Sequence, residues 1–381
     1  MKTITIVANE PYHSLSGGIP RFLQEIGPRL SRFLNVQMAV IGNSRKMSIE
    51  TLNPHFTLYH FPHYALPVGD SYPPRFLKKE MKALIQGSDV VFVQTVDCFI
   101  PLYYCKKFKK PLLMYFHGID WETFPRALGF PWLAKKIVPL VKSYARYWYN
   151  RCSCLLVPSA TLVPVLEQAK IVSPKHILPL GVDAQQFRPS LNSCYCKERI
   201  GLQESDLVLG YTGRLAREKN IDFLLNVFER LQKEFSALKL LLVGSGVKDF
   251  EAKIRQNPAV LAVGQKNEVL PYLQAMDVFV MPSQTETSSL STMEAMASGL
   301  PIIAFDVGCL RDYVQNGQNG YLVPLGNEED FYSKIRHLLQ EKELRQNIGR
   351  EARQGMEVRF NWEDTVRELY EVIEKIVFKV I

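Results

Sequence analysis

The stretch from residue 281 to 299, MPSQTETSSLSTMEAMASG, lies between two short apolar runs, and this order restricts the fold more than any other feature. The runs AMDVFV before it and PIIAF after it predict buried strands. Between them, hydroxyl residues near Ser288 favour a helix start and Gly299 favours a helix end. The first-turn N–H groups of such a helix have no partner inside the helix, so they form a site for phosphate.

Two carboxylates flank this predicted phosphate site. Glu286 lies in the loop before the helix, and Glu294 follows eight positions later, within the helix. Taken alone, both also fit solvated glutamates on a helix surface.

The full pattern resembles the signature of the retaining family 4 glycosyltransferases. It consists of Glu286, seven residues, Glu294 and then Ala-Met-Ala-Ser-Gly-Leu-Pro. The resemblance implies that Glu286 contacts the donor sugar and that Glu294 holds the ribose hydroxyls of the nucleotide. It also implies donor contacts at Ser288 and Ser289. The family usually has Gly-Phe-Gly after the first glutamate, where this chain has Thr-Ser-Ser, so less room is left around the sugar.

The resemblance covers essentially the whole chain and implies an α/β fold of the GT-B class. In this fold two Rossmann-like, doubly wound domains face each other across a cleft, and a C-terminal helix crosses back to the N-terminal domain. Strands that alternate with helices support parallel sheets, which bind ligands at the carboxyl ends of their strands. The predicted domains are residues 1–183 with 363–381, for the acceptor, and residues 184–362, for the nucleotide sugar.

In the C-terminal half, two basic residues stand at a predicted strand end and a predicted helix start. Arg214 follows the run VLGYTG, and Lys219 precedes an amphipathic segment. The family has Gly-Arg, four residues and Lys-Asn at this place, and the resemblance implies that both cations stabilise the leaving diphosphate. It also implies donor contacts at Gly244, in the glycine-rich exit of the next strand, and at Gln265, near the base.

In the N-terminal half, the first predicted strand runs into a loop with two adjacent glycines, Gly17 and Gly18. Adjacent glycines let a backbone approach a ligand closely, although a plain tight turn also fits the pair. The resemblance implies that this loop faces the donor phosphates and that His117, after another predicted strand, contacts the donor sugar. Asp120 is a candidate acceptor contact, with a loop-capping role equally favoured.

Basic and aromatic residues are concentrated between residues 101 and 151. This segment holds ten Lys or Arg against two acidic residues, so it carries the whole formal charge of +8. Lys135 and Lys136 lie among leucines and aromatics that include Trp132 and Trp148, a composition typical of helices that lie on anionic lipid. Aromatics turned into a domain core are the alternative. Single-stranded nucleic acid is disfavoured, because no nucleic-acid motif accompanies the segment.

The bulk composition bounds the cellular setting. No run approaches the roughly 18 apolar residues that cross a bilayer, and the N-terminal MKTITIV has no signal-peptide layout. The seven cysteines have neither zinc-site spacing nor an even count, which favours reduced thiols and no metal. We therefore expect a cytoplasmic protein that associates peripherally with the membrane.

Together these patterns predict a retaining hexosyltransferase that needs neither a metal ion nor another cofactor. Arg214, Lys219 and the helix N-terminus would offset the charge that develops on the leaving diphosphate. Glu286 and His117 would orient the sugar. Since no carboxylate nucleophile is evident, front-face attack by the acceptor hydroxyl, with the leaving phosphate as base, is favoured over a covalent intermediate.

The expected donor is a UDP-sugar carrying galactose or glucose, and the expected acceptor is a membrane glycolipid. The Thr-Glu-Thr form of the loop around Glu286 and the basic aromatic segment resemble those of enzymes that glycosylate membrane lipids, such as digalactosyldiacylglycerol synthases of the bacterial type. A hexosyl- or mannosyltransferase acting on a polyprenyl-linked or soluble glycan is the alternative. A nucleotide-sugar-binding protein without activity is disfavoured by the intact charged motifs, and an epimerase by the lack of acid and base groups for the sugar.

Overall fold

The structure, a computed structural model, describes residues 1–14, 17–64, 75–122, 131–246 and 250–378. The side chains of residues 131–135 lie outside this description. The chain divides into two compact units, Met1–Pro179 with Trp362–Ile381, and Leu180–Asn361. The sequence predicts the first boundary a few residues later, near residue 183.

The first unit is built on an eight-stranded sheet of described residues. Its strands are β1 Thr3–Val7, β2 Asn35–Ile41, β3 Ser48–Asn53, β4 Phe56–Phe61, β5 Val90–Val93, β6 Leu112–Tyr115, β7 Cys154–Val157 and β8 Lys175–Ile177. Their order is β3-β4-β2-β1-β5-β6-β7-β8, and the pairs are parallel except that β3 runs antiparallel to β4. The direction of winding therefore reverses between β1 and β5, and doubly wound sheets bind ligands at such a switch point.

Helices and apolar strands form the core of this unit. The helices are α1 Gly18–Leu30, α2 Lys78–Gly87, α3 Phe99–Lys107, α4 Pro131–Tyr149 and α5 Val163–Gln168. Each of β5, β6 and β7 is apolar and buried at all of its positions. Continuous apolar runs of this kind are expected of parallel strands that are covered on both faces.

The second unit is built on a six-stranded parallel sheet of described residues, in the order β11-β10-β9-β12-β13-β14. Its strands are β9 Leu207–Thr212, β10 Leu238–Val243, β11 Val260–Gly264, β12 Val278–Met281, β13 Ile302–Phe305 and β14 Gly320–Val323. Its helices are α6 Ser193–Arg199, α7 Ile221–Gln232, α8 Glu251–Gln256, α9 Leu270–Leu273, α10 Leu290–Ala297, α11 Glu328–Gln340 and α12 Lys342–Arg359. The winding of this sheet reverses between β9 and β12.

The last helix, α13 Trp362–Phe378, belongs to the first unit. Trp362 is buried with its ring 6.2 Å from that of Phe22 on α1, and the Thr365 hydroxyl donates to the Pro179 carbonyl at 3.0 Å. The predicted return of the C-terminal helix to the N-terminal domain is therefore confirmed, as is the fold class of two Rossmann-like α/β units. No helix in the described ranges combines the length and the apolar character that crossing a membrane requires.

Candidate functional site

Two loops meet at the switch point of the second sheet. One follows β9 and carries Arg214 and Lys219, and the other follows β12 and carries Glu286. The Gln284 N–H donates to the Glu218 carbonyl at 2.9 Å, which ties the two loops together. Chain segments about 70 positions apart are thus brought to one place, at the sheet edge where ligands bind in this type of fold.

Lys219 and Glu286 form a direct ion pair in this place. The Lys219 Nζ donates to the Glu286 Oε1 at 2.6 Å, with the carboxylate buried and the ammonium half-buried. A charged hydrogen bond this short is stronger than a neutral one. The pair fixes both groups and leaves the lysine partly open to an anionic ligand.

Arg214 lies beside this pair on a more exposed part of the same loop. Its side chain is 58% exposed, and its guanidinium donates to the Glu218 carboxylate at 2.7 Å. Its carbonyl accepts from the hydroxyl of buried Tyr211 at 2.9 Å, which holds the main chain in place. A phosphate can therefore reach the guanidinium without displacing buried structure.

The glycines of the strand exits allow the loops to pack closely. Gly244 has a φ of 153°, and a Cβ there would lie 1.8 Å from the carbonyl oxygen of Gly213. Gly246 meets the carbonyl oxygen of Leu215 in the same way, at 2.2 Å. The requirement for glycine at position 244 is thus explained by packing of main chain on main chain.

The helix α10 begins at Leu290, with Ser289 as its N-cap, and the Ser289 side chain makes no capping hydrogen bond. The Ser289 hydroxyl instead bonds the Thr292 hydroxyl at 2.8 Å. Ser288 is half-buried just before the helix. Helix N–H groups without a side-chain cap are suited to bind phosphate, as the sequence predicts.

The predicted contacts for the rest of the nucleotide lie on two further elements of the second unit. Glu294 is half-buried on α10, and Gln265 is exposed directly after β11. Both positions stay predictions from the resemblance. The C-terminus of α10 has the predicted glycine end, because Gly299 has a φ of 78° and its N–H donates to the Met296 carbonyl at 2.9 Å.

Three residues that the sequence analysis did not assign to the site pack against the Glu286 loop. A Cβ on Gly308 would lie 1.6 Å from the Glu286 carbonyl oxygen. Cys309 and Tyr313 follow on the same turn and contact each other, Sγ to hydroxyl, at 3.7 Å. Burial raises the pKa of the Cys309 thiol to about 12, and the nearby Glu286 charge adds to this. In the sequence, this turn is marked by the adjacent residues Gly308 and Cys309.

In the first unit, His117 follows β6 and contacts Gln94, which follows β5. The His117 Nε2 donates to the Gln94 Oε1 at 2.7 Å. Burial lowers the pKa of the imidazole to about 3, so the ring is neutral at physiological pH. A neutral imidazole on this sheet edge is a hydrogen-bonding group and not a cation.

Two aspartates lie near the same sheet edge. Asn9 donates to the Asp97 Oδ2 at 2.5 Å, and the Tyr149 hydroxyl donates to the Asp120 Oδ2 at 2.5 Å. Burial raises the pKa of Asp97 and raises that of Asp120 to about 7, and the Asp97 charge contributes to the latter shift. Asp120 therefore has a buried partner and an environment that disfavours its charge.

Three polar side-chain atoms near this sheet edge are buried without a hydrogen-bond partner in the described part of the chain. They are the Asn9 Oδ1, the Gln94 Nε2 and the Asp97 Oδ1. Buried polar atoms are normally paired, so such a concentration at the β1/β5 switch point indicates a site for a polar ligand. Asn9, Gln94 and Asp97 could not be predicted, since single polar residues after a strand carry no distinctive pattern.

The glycine loop before α1 has one position that requires glycine. Gly17 has a φ of 104°, which side chains rarely tolerate, and it is the N-cap of α1. A Cβ on Gly18 would meet nothing within 4 Å, so this residue borders open space. Both features are compatible with a ligand that approaches the start of α1.

The structure changes the interpretation of the basic aromatic segment. Trp148 is 8% exposed and packs in the core of the first unit, so the expectation that it contacts a membrane is wrong and the core alternative holds for it. Lys136 is exposed on α4. The side chains of Trp132 and Lys135 lie outside the described residues.

Other members of that segment form an exposed basic and aromatic surface on α3 and α4, which we call the α3/α4 surface. Its exposed residues are Tyr103, Lys106, Lys107, Leu140 and Arg151, and the half-buried Tyr147 completes it. The Lys106 Nζ donates to the Tyr147 hydroxyl at 2.7 Å, and the Arg151 guanidinium stacks 3.6 Å from the centre of the same ring. Cations over aromatic rings, next to exposed apolar groups, are the composition of a surface that binds anionic lipid.

Two family models match the chain, one in its N-terminal half and one in its C-terminal half. The family model described as Glycosyltransferase Family 4 matches residues 16–186, and the model described as Glycosyl transferases group 1 matches residues 206–341. The chain belongs to the GT-B glycosyltransferases of family 4 and group 1. This agrees with the glutamate pattern and with the Gly-Arg and Lys-Asn motif of the second unit.

Known proteins resemble the chain over part or all of its length. Sulfoquinovosyl transferase SQD2 of Arabidopsis thaliana is 31% identical over 79% of this chain and 59% of its own length. Alpha-monoglucosyldiacylglycerol synthase of Streptococcus pneumoniae is 25% identical over 61% of this chain and 55% of its own length. The chain thus spans little more than half the length of these glycosyltransferases. The solved structure of Anabaena HepE in complex with UDP-glucose has a TM-score of 0.78 at 17% identity, and it covers 98% of this chain and 100% of its own chain.

Proposed function

We propose that this glycosyltransferase moves galactose or glucose from a UDP-sugar to a membrane glycolipid, with retention of the anomeric configuration and without a metal ion. The observation that carries the proposal is the Lys219–Glu286 ion pair at the switch point of the second sheet. A cation for a diphosphate and a carboxylate for a sugar hydroxyl are held there in direct contact. The complex of HepE with UDP-glucose supports the choice of donor.

The leaving group explains why two cations are needed. When the sugar departs, negative charge develops on the diphosphate and positive charge on the anomeric carbon. Arg214, Lys219 and the uncapped N–H groups of α10 offset the first charge, so no divalent ion has to supply this stabilisation. A bound diphosphate would share the Lys219 ammonium with Glu286, which keeps the ammonium in place during the reaction.

The ion pair also bears on the stereochemical course. The Glu286 carboxylate is committed to a 2.6 Å bond with Lys219, which lowers its reactivity as a nucleophile. Attack by the acceptor hydroxyl on the face that the diphosphate leaves, with a phosphate oxygen taking the proton, therefore accounts for retention. Glu286 then orients the sugar. We assign the same task to neutral His117 from the family resemblance.

We assign binding of the acceptor to Asn9, Gln94 and Asp97 of the first unit. The buried atoms of Asn9, Gln94 and Asp97 offer hydrogen bonds of the kind that sugar hydroxyls make. The Streptococcus pneumoniae relative is named for a glucosyldiacylglycerol product, which supports a glycolipid acceptor. The α3/α4 surface would hold the protein, peripherally and from the cytoplasm, on the anionic bilayer that contains this acceptor.

The activity is tested by incubating the full chain with labelled UDP-galactose, UDP-glucose or GDP-mannose and a total lipid extract, followed by chromatography of the lipids. We expect a labelled glycolipid from one of the two UDP-sugars. Lys219→Ala should abolish it, whereas Lys253→Ala, which breaks an exposed ion pair of the second unit, should not. Label transferred from GDP-mannose, or only to a soluble glycan, would favour the alternative acceptor and donor.

Membrane binding is tested separately with sedimentation of liposomes. The triple variant Lys106→Ala, Lys107→Ala, Arg151→Ala should lose binding to anionic vesicles. The control variant Lys253→Ala, Arg255→Ala, Arg336→Ala removes the same charge from exposed positions of the second unit and should keep it. Equal loss in both variants would mean that only net charge matters and that the α3/α4 surface is not the docking surface.

A further inference from the structure

His13, Glu50 and His60 bring three metal-ligating side chains to one point of the first unit. The His13 Nε2 lies 3.0 Å and the His60 Nε2 2.9 Å from the same Glu50 Oε2. One ligand atom from each residue lies within 4.8 Å of the others. We propose that these three side chains bind a divalent transition-metal ion, and that Zn²⁺ is the ion that this donor set suits.

The topology explains why the three residues meet. In the antiparallel pair of β3 and β4, Ser48 lies opposite His60 and Glu50 lies opposite Leu58. Residues two positions apart share a face of a strand, so Glu50 and His60 are diagonal neighbours on one face of this edge hairpin. His13 comes from the loop between β1 and α1, and its ring stacks on that of His60 with centroids 5.8 Å apart.

The three ligand atoms lie within 4.8 Å of one another, so rotation of the side chains would bring them to a common metal ion. Zinc bonds to histidine nitrogen and carboxylate oxygen are about 2.0–2.2 Å long, so tetrahedral ligand atoms lie about 3.4 Å apart. The present nitrogen-to-oxygen distances of 2.9 and 3.0 Å are those of hydrogen bonds and would lengthen slightly. Two imidazoles and one carboxylate leave a fourth position for water.

The cluster is open to an incoming ion. The side chains of His13, Glu50 and His60 are 57%, 41% and 13% exposed. Both imidazoles donate to the same Glu50 oxygen.

A bound ion would tie the loop that precedes α1 to the edge hairpin. This function is separate from sugar transfer, which the proposed mechanism performs without a metal. Metal binding is therefore measured on the protein in the absence of sugar nucleotide and acceptor, and its outcome does not depend on the proposed activity.

The experiment is calorimetric titration of the full chain, stripped with chelator, with ZnCl₂ at pH 7.5. We expect one Zn²⁺ per chain, and we expect the double variant His13→Ala, His60→Ala to lose it. The control double variant His55→Ala, His176→Ala removes two histidines that pair with Asn35 and Glu368 elsewhere in the unit, and it should bind as the wild type does. The proposal is overturned if the first double variant binds zinc as the wild type does, or if the wild type binds no more than that variant.

A second variant keeps the test valid if the double variant folds poorly. Glu50→Gln preserves the shape of the side chain and removes its charge. Since outer-shell changes alone cost a metal site about tenfold or more in affinity, loss of a direct ligand should cost at least as much. Co²⁺ added to the wild type should give the visible absorption bands of a tetrahedral complex, and their presence at equal strength in Glu50→Gln would also refute the assignment.

Discussion

Gly308 packs directly on the main chain of Glu286. A Cβ built on Gly308 would lie 1.6 Å from the Glu286 carbonyl oxygen, well inside any real contact distance. Gly308 also has a φ of 56°, in the left-handed region that favours glycine. The position of Glu286, and with it the ion pair to Lys219, therefore depends on the absence of a side chain at residue 308.

We predict that Gly308→Ala lowers the rate of sugar transfer. The new methyl group must push the Glu286 loop away, and a displacement of about 1 Å in a catalytic group can cost about 100-fold in rate. Gly317→Ala is the matched control, because Gly317 also has a positive φ, of 76°, but a Cβ there meets nothing within 4 Å. Steady-state kinetics with the UDP-sugar should separate the two variants, and equal activities would contradict the role of Gly308.

Removal of either partner of the ion pair should affect stability as well as activity. Lys219→Met leaves the buried Glu286 carboxylate without its hydrogen bond, which costs about 2 kcal/mol in the free energy of unfolding. Adding Glu286→Gln removes the stranded charge, so the double variant should recover part of the loss. Urea unfolding of both single variants and of the double variant measures this coupling. Strictly additive losses would mean that the pair is not formed in solution.

Much of the fold could be predicted because its central strands are continuous apolar runs. The runs AMDVFV and PIIAF, predicted as buried strands, form β12 Val278–Met281 and β13 Ile302–Phe305. β3, with the sequence SIETLN, was missed since most of its residues are exposed at the sheet edge and show no apolar alternation. Pairing with β4 holds that strand in place, and pairing cannot be read from a single segment.

The site could be predicted only where a motif marks it. Lys219 and Glu286 came from the family pattern, whereas Gly308 acts through a clash that only the folded chain creates. The predicted membrane contact of Trp148 is wrong because Trp148 lies on the buried face of a helix. Ala145, Trp148 and Tyr149 are buried at positions i, i+3 and i+4 on one face of α4, while Tyr147 is only half-buried. Composition alone could not separate these two faces of the helix.

Asp120 should give the stability of the protein a specific dependence on pH. Its pKa is raised from an ordinary value near 3.8 to about 7 in the folded chain. Between these values the folded state binds more protons than the unfolded state, so this group's contribution to stability falls as pH rises, by at most about 1.4 kcal/mol per pH unit. Asp120→Asn should remove this term. Its free energy of unfolding relative to the wild type, from urea melts, should therefore increase from pH 4 to pH 7.

The contribution of His117 to stability should depend on pH in the opposite direction. Its pKa is lowered from 6.5 to about 3, so between these values the unfolded state binds more protons. The contribution of His117 to stability is present above pH 6.5 and is lost as pH falls toward 3. His117→Asn should therefore lose less stability than the wild type over that fall. If both variants shifted the pH profile in the same direction, the assigned protonation states would be wrong.

The packing of α12 against the end of α10 gives two glycines of one helix opposite responses to alanine. A Cβ on Gly349 would lie 2.1 Å from the Gly299 carbonyl oxygen, whereas a Cβ on Gly355 has its nearest contact at 3.8 Å, with Asn319. Alanine is favoured over glycine inside a helix by about 1 kcal/mol, so Gly355→Ala should raise the free energy of unfolding. Gly349→Ala should lower it by about 1–3 kcal/mol, because the new methyl group overpacks the contact.

Since the clash moves the helix whose first turn is assigned to the donor phosphate, Gly349→Ala should also raise the KM for the UDP-sugar, and Gly355→Ala should leave it unchanged. Urea melts and donor kinetics on the two variants test both effects, and equal stabilities would show that α12 shifts freely against α10.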